Sequence, residues 1–599
     1  MIMNRLFFKI FTILAFISGV ILLDIFELSW DYFRVIQPLH IIFSSLAFVL
    51  FMYPFIYKHI RRFYVVKKVK SNDGWLLAFS FFVVITSGIY LFLVGHRGGE
   101  IVDEISYYAH LFGSFMVIIL LFLHGKIQKQ KKALLALAVL LFLPQKNYAL
   151  EVSKLSNLTI SREFHSEDLA NSSRCKECHS EIFDQWAKSN HRHMVSSNPY
   201  YMLLETLAGE DEGEEFRAWC MSCHNPSALA NGHKKTTHFM EQNEVAAEMF
   251  DSESHQLRDD YLKHQDFRLE EGVSCTLCHQ IGEVDERGNG SYHVELDRDR
   301  YLFEDSRFTI ASWLSSRFIN ANPKTHKDSY SKDFYKDSKY CASCHDEQHP
   351  KNGIKIVSTY EEWSKSPYNN PDDKTKHKSC IDCHMSYLKD GKIVPFEGYS
   401  TDGGVKKSDV KTHFFTGSNH FLSSLRSKEH EDQTIEMLKS SATMSLKLDD
   451  SRLDVEVLNS GAGHHLPTGV ADFRELWLEV NVKDKNGALV FHSGHLDENG
   501  EIEEGSRLFR KVFGDEDHTP VGLKFWRYKV LLEDTRIPAK KSRVESFVLP
   551  KDIDYPIEVE VKLNFRIYPQ WVSSATQKLY PMLPNPPVLE LLNIKKEFR

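Results

Sequence analysis

The sequence predicts a chain in three parts: an N-terminal transmembrane α-helical bundle, a mainly-α, loop-rich middle built around cysteines, and a C-terminal β-sandwich. Three observations predict it. Four apolar stretches, at roughly 6–26, 38–57, 75–95 and 107–124, fill the first quarter. All ten cysteines fall between residues 175 and 383, in five copies of one short motif. Beyond about residue 442, apolar residues alternate with polar ones. At 599 residues the chain is too long for a single core. Its charge is also divided. Residues 1–147 carry 15 basic and 7 acidic side chains, leaving 58 and 74 for the rest, so a basic, apolar front joins an acidic, polar body. An acidic body lacks the phosphate-neutralising surface that nucleic acid requires, and no nucleic-acid partner is expected.

About 20 apolar residues cross a hydrocarbon core of ~30 Å, so each of the four stretches can span. The loop after the second carries Lys58, Arg61, Arg62, Lys67, Lys68 and Lys70, and the one after the fourth carries Lys126, Lys129, Lys131 and Lys132. The opposite loops carry Asp24, Glu27 and Asp31, then Glu100, Asp103 and Glu104. By the positive-inside rule, the N-terminus and the end of the fourth span are cytoplasmic. A fifth hydrophobic segment, within 131–150, follows the lysines and ends in Asn147-Tyr148-Ala149, the order of parts in a secretory signal. As a short last span or an internal signal, cleaved or not, it carries everything after about residue 150 across the membrane. The expectation is a multi-pass protein of the cytoplasmic (inner) membrane whose later domains lie in the periplasm. The expected divisions are a four-helix anchor at 1–130, the fifth segment at 131–150, the cysteine-motif domain at 151–440, a sandwich at 441–575 and a tail at 576–599.

Ionisable groups within spans are costly and mark function. His40 and His110 open the second and fourth spans near the outer face, and His59 and His124 lie at the inner ends of the same spans. His110 and His124 are 14 residues apart, about four turns, which puts them on one helix face some 21 Å apart. That spacing suits two haem irons, one per leaflet. It resembles the four-helix di-haem anchors of b-type cytochromes and implies two haems b, with ligands among His40, His110, His124 and His59. His59 departs from the pattern, being off the face of His40, and His96 is an alternative outer ligand.

The five cysteine motifs are Cys175/Cys178/His179, Cys220/Cys223/His224, Cys275/Cys278/His279, Cys341/Cys344/His345 and Cys380/Cys383/His384. Cys-x-x-Cys-His is the signature of c-type haem attachment. The two thiols add to the haem vinyl groups, and the adjacent imidazole becomes the proximal iron ligand. Disulfides would not require a histidine after each second cysteine, and zinc sites usually pair Cys-x-x-Cys units, which an odd number does not allow. Five haems c are therefore expected, with roughly 58 residues of 151–440 per haem, too few for a large apolar core. Each motif is expected to open a short helix. For the sixth ligands the best contexts are His191, in Trp186-Ala187-Lys188-Ser189-Asn190-His191, and His413, in His413-Phe414-Phe415-Thr416-Gly417. A partial repeat runs from Tyr360 through Trp363, Ser364 and Lys365 to Tyr368, which stands where the first copy has His191.

The Trp-x-x-Ser-x-His element, the Gly272-Val273-Ser274-Cys275 lead-in and Cys380-Ile381-Asp382-Cys383-His384-Met385 resemble the multihaem cytochrome c superfamily around cytochrome c-554, hydroxylamine oxidoreductase and pentahaem nitrite reductase. The resemblance covers about 170–420. It implies mostly bis-histidine haems packed in parallel and perpendicular pairs. The Cys-x-x-Cys-Lys motif that usually marks the nitrite reductases' active haem does not occur here.

In the last part, Leu476, Leu478, Val480 and Val482 alternate, Lys485-Asn486-Gly487 supplies a hairpin turn, and Ile557, Val559, Val561, Leu563 and Phe565 alternate again. About seven strands are expected. Gly461-Ala462-Gly463-His464-His465-Leu466-Pro467 is either a plain turn or a loop in which His464 or His465 reaches back to a haem iron, as in multihaem cytochromes with this kind of domain. The functional expectation is electron transfer between the quinone pool of the lipid membrane and a periplasmic redox protein, through b- and c-type haems. Such a chain would have quinol:cytochrome oxidoreductase activity, in either direction. The alternatives are a terminal reductase or oxidase of a small nitrogen or sulfur compound at one open c-haem, and a docking subunit of a larger complex.

Overall fold

The computed structural model describes residues 2–22, 30–55, 72–95, 101–124, 150–152, 155–161, 169–230, 232, 271–296, 309–321 and 323–599. His59, His96 and most of the fifth hydrophobic segment lie outside them. The chain divides into two compact units.

The first unit holds Met1–Tyr148, Glu295–Lys332 and Thr401–Lys406. Its main helices are α1 (Ile2–Ile21), α2 (Trp30–Phe55), α3 (Asn72–Leu93) and α4 (Ile101–His124). Within them Val35–Met52, Trp75–Leu93 and Ile101–Leu121 are long and apolar enough to cross a membrane, while α1 has the shorter run Leu6–Ile21. A helix satisfies its backbone polar groups internally, as a water-free surrounding demands. Leu77 and Phe81 of α3 and Val117 and Leu120 of α4 form a core with Phe8 and Phe51 against it, and the Phe51 and Phe81 rings stack at 4.5 Å. The outward faces are no less apolar, with Phe79, Phe82 and Phe112 exposed. A helix apolar on all sides is not the pattern of a water-facing bundle. The segment Glu295–Lys332 departs from expectation. It lies within the range assigned to the cysteine-motif domain, yet it belongs with the bundle, because helix α5 (Thr309–Ala321) packs against α3.

The second unit holds Ala149–Val294, Asp333–Ser400 and Lys407–Arg599. Short helices and two-stranded ladders surround the motifs. The third and fifth motifs open helices, Cys275–Gln280 and Cys380–His384, as expected. Ser274 caps the former by accepting from the Leu277 N–H at 3.0 Å, and the Asp382 carboxylate accepts from the Ser379 N–H at 2.9 Å in the latter. The second and fourth motifs instead close helices, Glu214–His224 and Ser338–His345. The i, i+3, i+4 spacing puts both cysteines and the histidine on one face at either end of a helix, so the motif does not choose the side on which the helix extends.

At the C-terminus two antiparallel sheets share one core. The first orders β1 (Thr443–Asp449), β2 (Arg452–Leu458) and β5 (Ser542–Val548). The second runs β4 (Leu489–Ser493), β3 (Glu475–Lys483), β6 (Ile557–Arg566) and β7 (Leu589–Phe598). Leu478 pairs with Leu563 and Val480 with Val561 in register, and these side chains meet Leu453, Val455 and Val457 of β2 in the interior. Asp484 Oδ1 accepts from the Asn486 and Ala488 N–H groups in the turn joining β3 to β4. Strand β7 corrects the expected tail. Its Lys595, Lys596 and Glu597 are exposed on an edge strand and read as a polar terminus, although Leu591 is buried in the core.

Candidate functional site

Among the described residues, four pairs of imidazoles face one another at nearly the same separation. Ring centroids are 6.1 Å apart for His40–His110, 6.1 Å for His191–His345, 6.3 Å for His279–His413 and 6.2 Å for His384–His464. An imidazole nitrogen lies about 2 Å from a metal it ligates and its ring centre about 1 Å further out, so two rings sharing one metal stand ~6 Å apart. Two imidazoles merely in contact come closer, as His492 and His495 do at 4.5 Å. The pairs therefore fit a haem iron between their rings.

Hydrogen bonds select the nitrogen that three of these rings present. His413 Nδ1–H donates to the Lys411 carbonyl at 3.1 Å, His464 Nδ1–H to the His465 carbonyl at 2.9 Å and His384 Nδ1–H to the Thr416 carbonyl at 2.6 Å. With Nδ1 as the donor, the Nε2 lone pair is left for a metal. Burial, the largest cause, pushes His191 and His413 down to about 3 and His345 and His224 down to about 4, so these rings are neutral, the form that ligates.

In the bundle the same device occurs twice. His40 of α2 donates from Nδ1 to the Ala15 carbonyl of α1 at 2.8 Å, and His110 of α4 donates to the Val84 carbonyl of α3 at 2.9 Å. Ser18-Gly19 lies beside the first ring and Ser87-Gly88 beside the second. A Cβ at either glycine would come within 2.9 Å of the imidazole Cε1. The repeat of Ser-Gly some 21 residues before a histidine was legible in the sequence, and the reading by helix face alone missed it. His124 closes α4, and its side chain lies outside the described residues.

The tryptophan elements of the second unit are also built alike. Trp186 Nε1–H donates to the Val273 carbonyl, two residues ahead of Cys275, and Trp363 Nε1–H donates to the Lys378 carbonyl, two residues ahead of Cys380, both at 2.9 Å. The carbonyls of His191 and Tyr368 accept from the Val273 and Lys378 N–H groups, each at 3.0 Å. Gly272 is required here. Its φ is +62°, and a Cβ would overlap the His191 carbonyl oxygen.

The loop bearing His464 is clamped from the same side. Glu362 Oε2 accepts from the His465 N–H at 3.2 Å and from Thr468 Oγ1 at 2.6 Å, while its Oε1 pairs with Arg536 at 2.6 Å. Arg536 makes two further bonds to Asp534, each 2.9 Å, and both Arg536 and Glu362 are buried. Asn459 Nδ2 donates to the His464 carbonyl at 2.8 Å. Of the two loop histidines it is thus His464 that faces His384, while His465 turns toward Glu362.

His179 and His224 belong to none of the four pairs. Tyr201 stacks on the His224 ring at 4.2 Å and 11°. His430, which the sequence reading did not single out, is buried with Nδ1–H donating to the Lys188 carbonyl at 3.3 Å and no hydrogen-bond partner at Nε2. The motifs themselves adjoin: Cys175 lies against Cys275, Cys223 against Cys344, and Cys341 against Cys380, while Tyr340, beside the fourth motif, meets Cys278 at 2.8 Å. The five motifs thus form a connected series from the first through the third to the fourth, which adjoins both the second and the fifth.

Residues 174–249, which include the first two motifs, match the family described as cytochrome c554 and c-prime. Among solved structures, a penta-haem cytochrome c552 from Thermochromatium tepidum is similar to this chain at 18% identity, covering 72% of this chain and 99% of that one with a TM-score of 0.46. No curated protein sequence matches it. With its repeated attachment motifs and this family match, the chain is a multihaem c-type cytochrome.

Proposed function

We propose that this chain is a membrane-bound electron conduit between the quinone pool and a redox protein of the periplasm. The observation that carries the reading is the recurrence of one imidazole separation on both sides of the chain's division, once between apolar helices and three times among the cysteine motifs. In this reading His40 and His110 hold a haem b in the bundle. Cys175, Cys178, Cys220, Cys223, Cys275, Cys278, Cys341, Cys344, Cys380 and Cys383 attach five haems c, with His179, His224, His279, His345 and His384 as proximal ligands. His191, His413 and His464 are distal ligands of the fourth, third and fifth haems.

When bound, the haems supply one-electron redox chemistry. The protein's own part is to hold and orient them. Carbonyls fix the imidazole tautomers, burial keeps those rings neutral, and Gly19 and Gly88 leave room beside His40 and His110. The adjoining cysteines support a continuous path among the c-type haems. The acidic body suits a partner with a basic face.

The test is anaerobic mixing of the purified, oxidised full-length protein with a short-chain quinol, followed in the haem absorption bands. Reduction of both b- and c-type bands is expected. If dithionite reduces every haem and quinol reduces none, the quinone link is refuted.

A further inference from the structure

Helix α5 lies between the third and fourth motifs, in the longest of the intervals separating them, 66 residues from Cys275 to Cys341. One side of it is fastened to the ends of the apolar spans. Phe318 packs on Phe92 of α3 at 6.0 Å, and Gln37 of α2 donates from Nε2 to the Phe318 carbonyl at 2.6 Å. The Arg317 guanidinium donates to the Leu93 carbonyl. Asn320 sits against Gly95, whose φ of +98° and lack of a Cβ permit the approach, since a Cβ there would lie 2.7 Å from the Asn320 oxygen. Leu93 closes the span Trp75–Leu93 and Gln37 stands near the start of Val35–Met52, so α5 lies at the depth where two spans end.

The Ile310–Trp313 edge is exposed among the described residues. Ile310 is 75% exposed and Trp313 42%, three residues apart on one helix face. The Trp313 ring meets Phe92 edge-on at 6.1 Å, and the Arg317 guanidinium lies over it at 5.2 Å. Leu93 and Val94 are also exposed, so an apolar strip continues from α3 onto α5. Tryptophan, arginine and an exposed aliphatic residue at the end of a span are the composition of a membrane–water boundary.

We propose that α5 is an interfacial helix whose Ile310–Trp313 edge is seated in the lipid surface, at the boundary of headgroups and acyl chains. The haem-bearing chain between the third and fourth motifs is then held to the bilayer at a second place, besides its covalent link to α4. The proposal rests on the membrane-spanning reading of α2, α3 and α4. The occupant is lipid because the strip is continuous with the span's own apolar surface.

All ten native cysteines belong to the attachment motifs, so one added cysteine provides a unique labelling site. Ile310→Cys carries a nitroxide in the full-length protein in lipid nanodiscs. Its collisions with oxygen, which concentrates in lipid, are compared with those of a water-soluble nickel chelate. Phe82→Cys, an exposed position within a span, and Leu489→Cys, an exposed position on β4, serve as controls. The Ile310 label is expected to favour oxygen, close to Phe82 and far from Leu489, and Trp313→Cys to do the same. A label at 310 that behaves like the one at 489 overturns the proposal. So does one shielded from both reagents, which would put a protein partner there. If Phe82 itself reads as aqueous, the spanning reading has failed and this proposal falls with it.

Discussion

Trp186 and Trp363 occupy two copies of one backbone device with different outcomes. In both, an indole N–H holds the carbonyl two residues ahead of a motif's first cysteine, and the residue five positions after the tryptophan accepts a hydrogen bond from that same lead-in. In the first copy that residue is His191, whose own ring faces His345. In the second it is Tyr368, whose hydroxyl donates to the Ser460 and Gly461 carbonyls and so supports the loop that presents His464. The third motif, which the first copy seats, is thus faced by His413 from beyond the fifth motif, while His191 faces the fourth. The fifth motif, which the second copy seats, is faced by His464 of the β domain, through a clamp of Glu362 and Arg536. The two copies show that a repeated backbone arrangement can seat a motif while leaving the source of the opposing ring free. They also show that the second site depends on how two parts of the chain dock.

The largest expected effect sets the bundle pair against both copies. A haem held only by imidazoles leaves when one is lost, whereas a thioether-attached haem stays. His40→Ala should therefore abolish the outer haem b and retain five haems c, measured by the pyridine haemochrome ratio. A residual b signal would place a second haem at the inner end, with His124 as a ligand. Next, His191→Ala and His464→Ala should each keep all haems but open one iron, giving a high-spin ferric signal by electron paramagnetic resonance and one added equivalent of carbon monoxide uptake after reduction. An unchanged spectrum in either variant breaks the comparison at that copy.

Glu362→Gln separates the copies more finely. Replacing the carboxylate weakens charge-assisted bonds worth about 2 kcal/mol in such settings. A partial high-spin signal from the fifth haem alone, relieved by added imidazole, is the expected outcome, and a fully low-spin spectrum would show that the clamp does not position His464. Tyr368→Phe should have the smallest effect. Its hydroxyl bonds are 3.3 and 3.4 Å long, and their loss should cost no more than about 1 kcal/mol of stability by thermal unfolding. A change in haem spin state with this variant would mean that the tyrosine does more than support the loop.

Much of this chain is determined locally and was legible in the sequence. The five motifs need only i, i+3, i+4 spacing. The spans need only unbroken apolar length. Alternation at Leu476–Val482 and Ile557–Phe565 reports which side of a strand is buried, and these residues are indeed in the core. His191, His413 and His464 were legible as candidates because each lies in a distinctive local context. Their counterparts were not. His191 meets a ring 154 residues away, His413 one 134 residues back, and His464 one 80 residues back. Such pairings are set by packing and carry no sequence period. The choice of His464 over its neighbour His465 depends on Glu362, a hundred residues earlier. Likewise α5 sits in a stretch that the motif spacing assigned to the haem domain, and β7 reads as a polar tail. What the sequence by itself determined is the covalent chemistry and the apolar patterning, because both are short-range. Which imidazoles face one another, and which segments join the bundle, only the tertiary structure decided, because those contacts depend on surfaces that exist once distant parts of the chain have packed.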